Sequence, residues 1–108
     1  MAIMYQLRTY TLKTADALED YATVHWPRHI TSLRAFGVST HGIWTQHSGD
    51  AHRLIALVSY PNGDDPTEVT TAYMASPGFA ADVDGFDVDN IVNVSEIMLG
   101  PAAASPLV

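Results

Sequence analysis

Two stretches of this chain are apolar on both of their faces. In Arg53–Tyr60 (RLIALVSY), Leu54, Ala56 and Val58 alternate with Ile55 and Leu57. In Ile91–Leu99 (IVNVSEIML), Ile91, Ile97 and Leu99 alternate with Val92, Val94 and Met98. Both have strand length and β-branched content. An antiparallel strand with one face in water alternates apolar with polar, so a sheet built on these two needs cover on both sides. A chain of 108 residues is about one domain, and its helices suffice for one face only. A contiguous apolar sheet left open is an aggregation hazard. A second copy of the chain, packed sheet to sheet, is the economical cover, and a homodimer is expected.

The remaining elements follow from local signals. Met4–Leu12 (MYQLRTYTL) reads as the first strand. Thr14 is a good N-cap, with Asp16 opposing the dipole in the first turn. Between Thr14 and Phe36, the residues Leu18, Ala22, His25, His29, Leu33 and Phe36 fall on one helical face. Pro27 kinks that helix or opens a second one, and Gly37 is placed to end it. Val38–Gln46 (VSTHGIWTQ) is the second strand, and Ser48-Gly49-Asp50 turns it into the third as a hairpin. Pro61-Asn62-Gly63 stops the third strand. Asp65-Pro66-Thr67-Glu68 then combines an acidic cap, an early proline and a glutamate three after the cap, which starts a short helix to Ala75. Ser76-Pro77-Gly78 breaks it, and Phe79, Val83 and Phe86 carry one or two further turns. The order β-α-β-β-α-β is a split βαβ of ferredoxin-like type: an α+β fold with a four-stranded antiparallel sheet and helices on one face. A single domain over residues 1–100 and a tail over residues 101–108 are expected.

Composition excludes several functions. Apolar residues are 47% and charged residues 16%, a folding rather than a disordered composition. Net charge is −7, and the basic residues Arg8, Lys13, Arg28, Arg34 and Arg53 are scattered. Nucleic acid and anionic membranes both need clustered positive charge, and neither is expected as a partner. Without cysteine, disulfides and thiolate chemistry are excluded. No apolar run approaches ~20 residues, and the first residues lack the regions of a signal peptide, so a cytoplasmic location is expected.

Several segments resemble the NIPSNAP-like branch of the dimeric α+β barrel superfamily. Tyr5-Gln6-Leu7-Arg8-Thr9-Tyr10-Thr11-Leu12 matches its opening Y-x-L-R-x-Y-x-L. His25-Trp26-Pro27, Phe36-Gly37-Val38 and Gly42-Ile43-Trp44-Thr45 resemble its helix end and second strand. Tyr73-Met74-Ala75-Ser76-Pro77-Gly78-Phe79 resembles the superfamily's tyrosine-small-proline-aromatic segment. The chain departs from it in the third strand, whose end Leu57-Val58-Ser59-Tyr60 has one aromatic. It departs again at Gly78-Phe79, where polyketide-cyclase relatives carry a histidine. The resemblance implies the fold and a dimer. It leaves the chemistry open among cofactor-free monooxygenases, cyclases, isomerases, haem-degrading enzymes and proteins without activity.

Candidate site residues follow from residue type. His25 and His29, four apart, suit an acid/base pair or two buried, satisfied imidazoles. Without a zincin glutamate between them, a metal is not expected. Tyr73 is a hydrogen-bond donor for a carbonyl or enolate, or an interfacial tyrosine. Arg8 needs an anion, either Glu96 of the fourth strand or a ligand. Tyr10, Trp44 and Phe79 are expected as walls, with Arg8 and Tyr10 on one face of the first strand. His41 and His47 are expected on the face opposite Trp44, and His47 and His52 flank the hairpin turn. Asp82, Asp84, Asp87 and Asp89 read as a solvated loop at a pocket mouth, since the spacing does not fit an EF-hand. The leading expectation is a cofactor-free enzyme: His25 or His29 as acid/base, Tyr73 as donor, and a small hydrophobic carbonyl or aromatic substrate. A non-catalytic ligand-binding module and a haem-handling protein with a helix histidine as axial ligand are the alternatives.

Overall fold

The computed structural model describes residues 4–61 and 64–107. Met1-Ala2-Ile3, the Asn62-Gly63 part of the expected turn, and Val108 of the tail lie outside the described residues. Strands β1 (Met4–Leu12), β2 (Ser39–Thr45), β3 (His52–Tyr60) and β4 (Ile91–Leu99) form one antiparallel sheet in the order β2-β3-β1-β4. Helices α1 (Ala15–Asp20), α2 (Trp26–Ala35), α3 (Pro66–Met74) and α4 (Pro77–Asp82) complete the α+β ferredoxin-like arrangement.

The first helical unit runs from its Thr14 cap to Phe36 without a break. Between α1 and α2 lies a π turn, Tyr21–His25, in which the Trp26 N–H reaches back to the Tyr21 carbonyl. Pro27 explains the turn. It has no N–H to give to the carbonyl four residues earlier, and a widened turn absorbs that loss. The widening has a second effect. Residues four apart drift about 40° around a straight α-helix, and one π turn offsets part of that drift. Tyr21, His25, His29 and Leu33 therefore all stay buried. Thr14, Asp65 and Ser76 each cap a helix by accepting a backbone N–H.

Register assigns the sheet faces. Gln6, Arg8, Tyr10 and Leu12 of β1 pair with Val58, Ala56, Leu54 and His52 of β3. Gln6, Arg8, Tyr10 and Leu12 of β1, with Leu54, Ala56, Val58 and Tyr60, form the buried, helix-facing side. On the far side of β1 and β3, Leu7, Ile55 and Leu57 are only half-buried. Strand β4 is an edge: Val94, Ile97, Met98 and Leu99 are all exposed. Its helix-side residues Val94 and Glu96 pair with Tyr10 and Arg8, but no helix lies flat on them. That uncovered strip is the floor of a cavity.

Strand β2 departs from the expected alternation. Its pairing with β3 shifts between Thr40 and Gly42, which leaves His41 as an extra residue. The bulge puts His41 on the outer face, where it bonds the Ser59 hydroxyl at 2.8 Å and packs on the Tyr5 ring. Trp44, opposite Ile55, lies on that same face. The expectation that His41 and Trp44 oppose each other fails because the alternation was counted through the bulge.

Candidate functional site

A cavity of about 430 Å³ lies between the helices and the β4 side of the sheet. Arg8 and Tyr10 of β1, Tyr21, Trp26 and His29 of the long helical unit, and Tyr73 and Phe79 from α3 and α4 line its interior. Its mouth is formed by Met74, Val88 and Val94, all more than 40% exposed. Val88 stands in the acidic loop, so that segment does border the opening.

One wall carries a buried polar chain. Tyr73 comes from the last turn of α3 and Asp82 from the end of α4, held there by the short Ser76-Pro77 break between the two helices. The Tyr73 hydroxyl donates to Asp82 Oδ2 at 2.5 Å, and the Tyr73 oxygen itself meets His29 Nδ1. Asp82 Oδ2 is also 3.7 Å from His29 Nδ1. A phenol has one proton to give. With that proton on the bond to Asp82, His29 Nδ1 must be the N–H that donates to the Tyr73 oxygen. Nε2 of His29 then carries a bare lone pair, and it has no hydrogen-bond partner among the described residues although it is buried. Burial pushes the imidazole down to about 4; the Asp82 carboxylate opposes that, while His25 and Arg8 add to it. The ring is therefore uncharged at neutral pH. Burial, followed by the hydrogen bond to Asp82 and its charge, raises the Tyr73 phenol far above its ordinary range, which keeps it a donor.

Two further groups face this wall. The Trp26 ring lies 5.4 Å from the His29 ring, and its indole N–H is buried without a hydrogen-bond partner among the described residues. It approaches the Tyr21 hydroxyl closely enough to moderate the upward push of burial on that phenol, but short of hydrogen-bond geometry. Phe79 stacks on His29 at 6.1 Å between centroids.

At the other end of the cavity is Arg8, buried to 9% exposure. Its Nε donates to Gln6 Oε1 at 2.6 Å, Nη1 to the Tyr10 hydroxyl at 3.0 Å, and Nη2 to Tyr60 at 3.1 Å and Thr70 at 2.9 Å. The expected carboxylate, Glu96, lies 4.0 Å away and is half exposed, and its other oxygen takes the Gln6 amide at 3.0 Å.

The expected site residues therefore separate. Arg8, Tyr10, His29, Tyr73 and Phe79 meet around one cavity. His25 does not line it: Nδ1 donates to the Asp82 backbone carbonyl at 2.9 Å and Nε2 lies 3.3 Å from Asp20 Oδ2. It is a strut that fixes the end of α4, and hence Asp82. Trp44 stands on the opposite face of the sheet and is 54% exposed, so it walls nothing here. Asp82 is the correction in the other direction. It is not part of a solvated loop but 5% exposed at the heart of the chain. Its sequence signal was its place three residues after Phe79, which aligns it with that ring on a single helical turn. The acidic neighbours Asp84, Asp87 and Asp89, all exposed, hid it. Tyr21, Trp26 and Thr70 were missed because nothing local marks them. Among the described residues there is no cluster of metal-ligating side chains, and no helix is long and apolar enough to cross a membrane.

The four-stranded sheet and the split βαβ order, with the cavity between sheet and helices, define a protein of ferredoxin-like α+β fold. The family profile of NIPSNAP matches residues 5–106, and the chain belongs to that family. It is similar to a NIPSNAP family protein of unknown function from Agrobacterium tumefaciens, with 23% identity, a TM-score of 0.79, and coverage of 98% of this chain and 94% of that one. A NIPSNAP domain protein from Burkholderia xenovorans shares 20% identity, with a TM-score of 0.75 and coverage of 95% and 98%. A provisional antibiotic biosynthesis monooxygenase from Nitrosomonas europaea shares the fold at 16% identity, with a TM-score of 0.64 and coverage of 97% and 96%. No protein of curated function matches the chain.

Proposed function

We propose that the cavity binds a small, largely apolar molecule and that His29 removes a proton from it without a cofactor. The observation that carries this reading is the buried, unpartnered Nε2 of an uncharged His29 whose Nδ1 is tied to Tyr73 and Asp82. A buried acceptor left without a partner is costly, and a ligand C–H or O–H is what it lacks. As Nε2 takes the proton the ring becomes cationic, and the Tyr73–Asp82 pair stabilises that charge through Nδ1. In this reading the Trp26 N–H, also buried without a partner among the described residues, meets negative charge developing on a ligand oxygen. Proton abstraction beside a carbonyl or hydroxyl is the common first step of isomerisation, aldol-type cyclisation and cofactor-free oxygenation. The likeness to the provisional monooxygenase from N. europaea is compatible with that class.

The test is exchange of the α-hydrogens of phenylacetone in D₂O, followed by NMR. The protein should accelerate exchange. His29→Gln should abolish the acceleration, and Tyr73→Phe should reduce it by about 10²-fold or more. Exchange no faster than in buffer, alongside ligand binding, would make the protein a carrier rather than an enzyme.

The outer face of the sheet supports a homodimer. Trp44 at 54%, Ile97 at 57% and Leu99 at 40% exposure continue the half-buried Leu7, Ile55 and Leu57 into one apolar surface. A second copy of the same face would cover it.

A further inference from the structure

The Arg8 end of the cavity has more hydrogen-bond donors than acceptors, and the surplus can be located. Of the five N–H groups of Arg8, four are placed, on Gln6, Tyr10, Tyr60 and Thr70. The fifth belongs to Nη1, the nitrogen that bonds Tyr10. Tyr60 passes its own proton to Gln6 Oε1 at 2.8 Å. Thr70 lies 3.3 Å from the Tyr60 oxygen, which receives its proton. Tyr10 has no such outlet: its oxygen accepts from Arg8, and its hydrogen has no acceptor among the described residues. Burial keeps that phenol protonated. One N–H and one O–H, 3.0 Å apart at their heavy atoms, are thus left over side by side.

Charge points the same way as the hydrogen count. Among the described residues Arg8 is the one cation lining the cavity, and its four hydrogen bonds go to neutral oxygens. Its single carboxylate neighbour sits at 4.0 Å, is 47% exposed, and is already engaged by Gln6. A buried guanidinium with so little neutralisation is poised for an anion. Other lining residues of the cavity are apolar or aromatic, among them Tyr21, Leu33 and Ile91.

We infer that Arg8 Nη1 and the Tyr10 hydroxyl form a receptor for the carboxylate of a small apolar acid, whose body fills the cavity toward His29. This rests on the cavity being a ligand site, as proposed above, but not on His29 turning the ligand over. Two neighbouring donors match the two oxygens of a carboxylate.

The experiment compares 3-phenylpropionate with 3-phenylpropionamide by calorimetry on the intact chain. The carboxylate should bind at least about tenfold tighter, the scale of one charge-assisted bond in a buried site. Tyr10→Phe keeps the ring and removes the hydroxyl, both the free donor and the acceptor of one Arg8 N–H, and should cut carboxylate affinity about fivefold. Arg8→Gln should abolish the preference, and Arg8→Lys, which keeps the charge, should retain part of it. His29→Gln should leave the preference intact. Equal binding of acid and amide to the unmodified protein overturns the inference and leaves the cavity reading standing. Binding of neither overturns both. A carboxylate preference with no proton exchange at His29 fails the acid–base reading alone.

Discussion

Single residues set the chemistry of this protein through what they lack. His29 is the clearest case, because its low proton affinity has a measurable consequence for folding. Unfolded, the imidazole takes up a proton near pH 6.5; folded, not until about pH 4. Between these values the unfolded state binds more protons. The His29 contribution to stability is therefore intact above pH 6.5 and is lost as pH falls toward 4, by about 3 kcal/mol in all. Denaturant titrations across that range should show the loss, and His29→Gln should flatten it relative to the parent. Tyr73→Phe removes the donor that satisfies the buried Asp82 carboxylate, and should lower stability by about 2 kcal/mol at pH 7, read from the urea midpoint. Asp82→Asn keeps a side chain of the same size but removes the charge that supports a cationic His29. It should fold, and it should lose most of any proton-exchange activity. Sequence reasoning selected His29 and Tyr73 by type, but it could not rank His25 against His29. Both are four-spaced histidines on one helix face. Only their partners differ: a backbone carbonyl and Asp20 for one, Tyr73 and the cavity for the other.

At the level of elements, each departure from a regular pattern positions something. The π turn at Tyr21–His25 keeps a four-residue spacing on one face across the proline. The bulge at His41 sends a whole segment of β2 to the other side, which explains why Trp44 faces outward. The turn between α2 and β2 depends on Gly37. Its φ is +82°, and a Cβ there would stand 2.7 Å from Cγ of Pro61. Gly37→Ala therefore meets both backbone strain and a ring that another loop holds in place. It should cost about 2 kcal/mol and lower the melting temperature by roughly 10 °C, measured by circular dichroism. Helix starts and stops were legible because caps are local: Thr14, Asp65-Pro66 and Ser76-Pro77 act on N–H groups two or three residues away. The bulge was not legible, since it is one residue of slippage decided by the partner strand; at the π turn, Pro27 marked the place of the irregularity but not its form.

The molecule as a whole has two apolar surfaces, one wrapped around a cavity and one facing outward. If the outward face pairs two copies, charge placed on both of its edge strands should separate them. Trp44→Asp combined with Ile97→Glu is expected to give a monomer by light scattering at micromolar concentration, while the parent runs as a dimer. Neither residue touches the cavity, so ligand binding there should persist in a folded monomer.

Composition and pattern alone were enough for the architecture: strand-length β-branched runs, caps, and a β-α-β-β-α-β order that admits few sheet topologies. These are properties of neighbouring residues, and a reader of the chain has them in hand. Which side chains meet is a different kind of quantity. Asp82 became a buried partner of Tyr73, and Arg8 a guanidinium short of acceptors, because segments far apart in sequence close over one another and exclude water. Burial and hydrogen-bond pairing depend on that closure, and they exist only once the tertiary structure has formed.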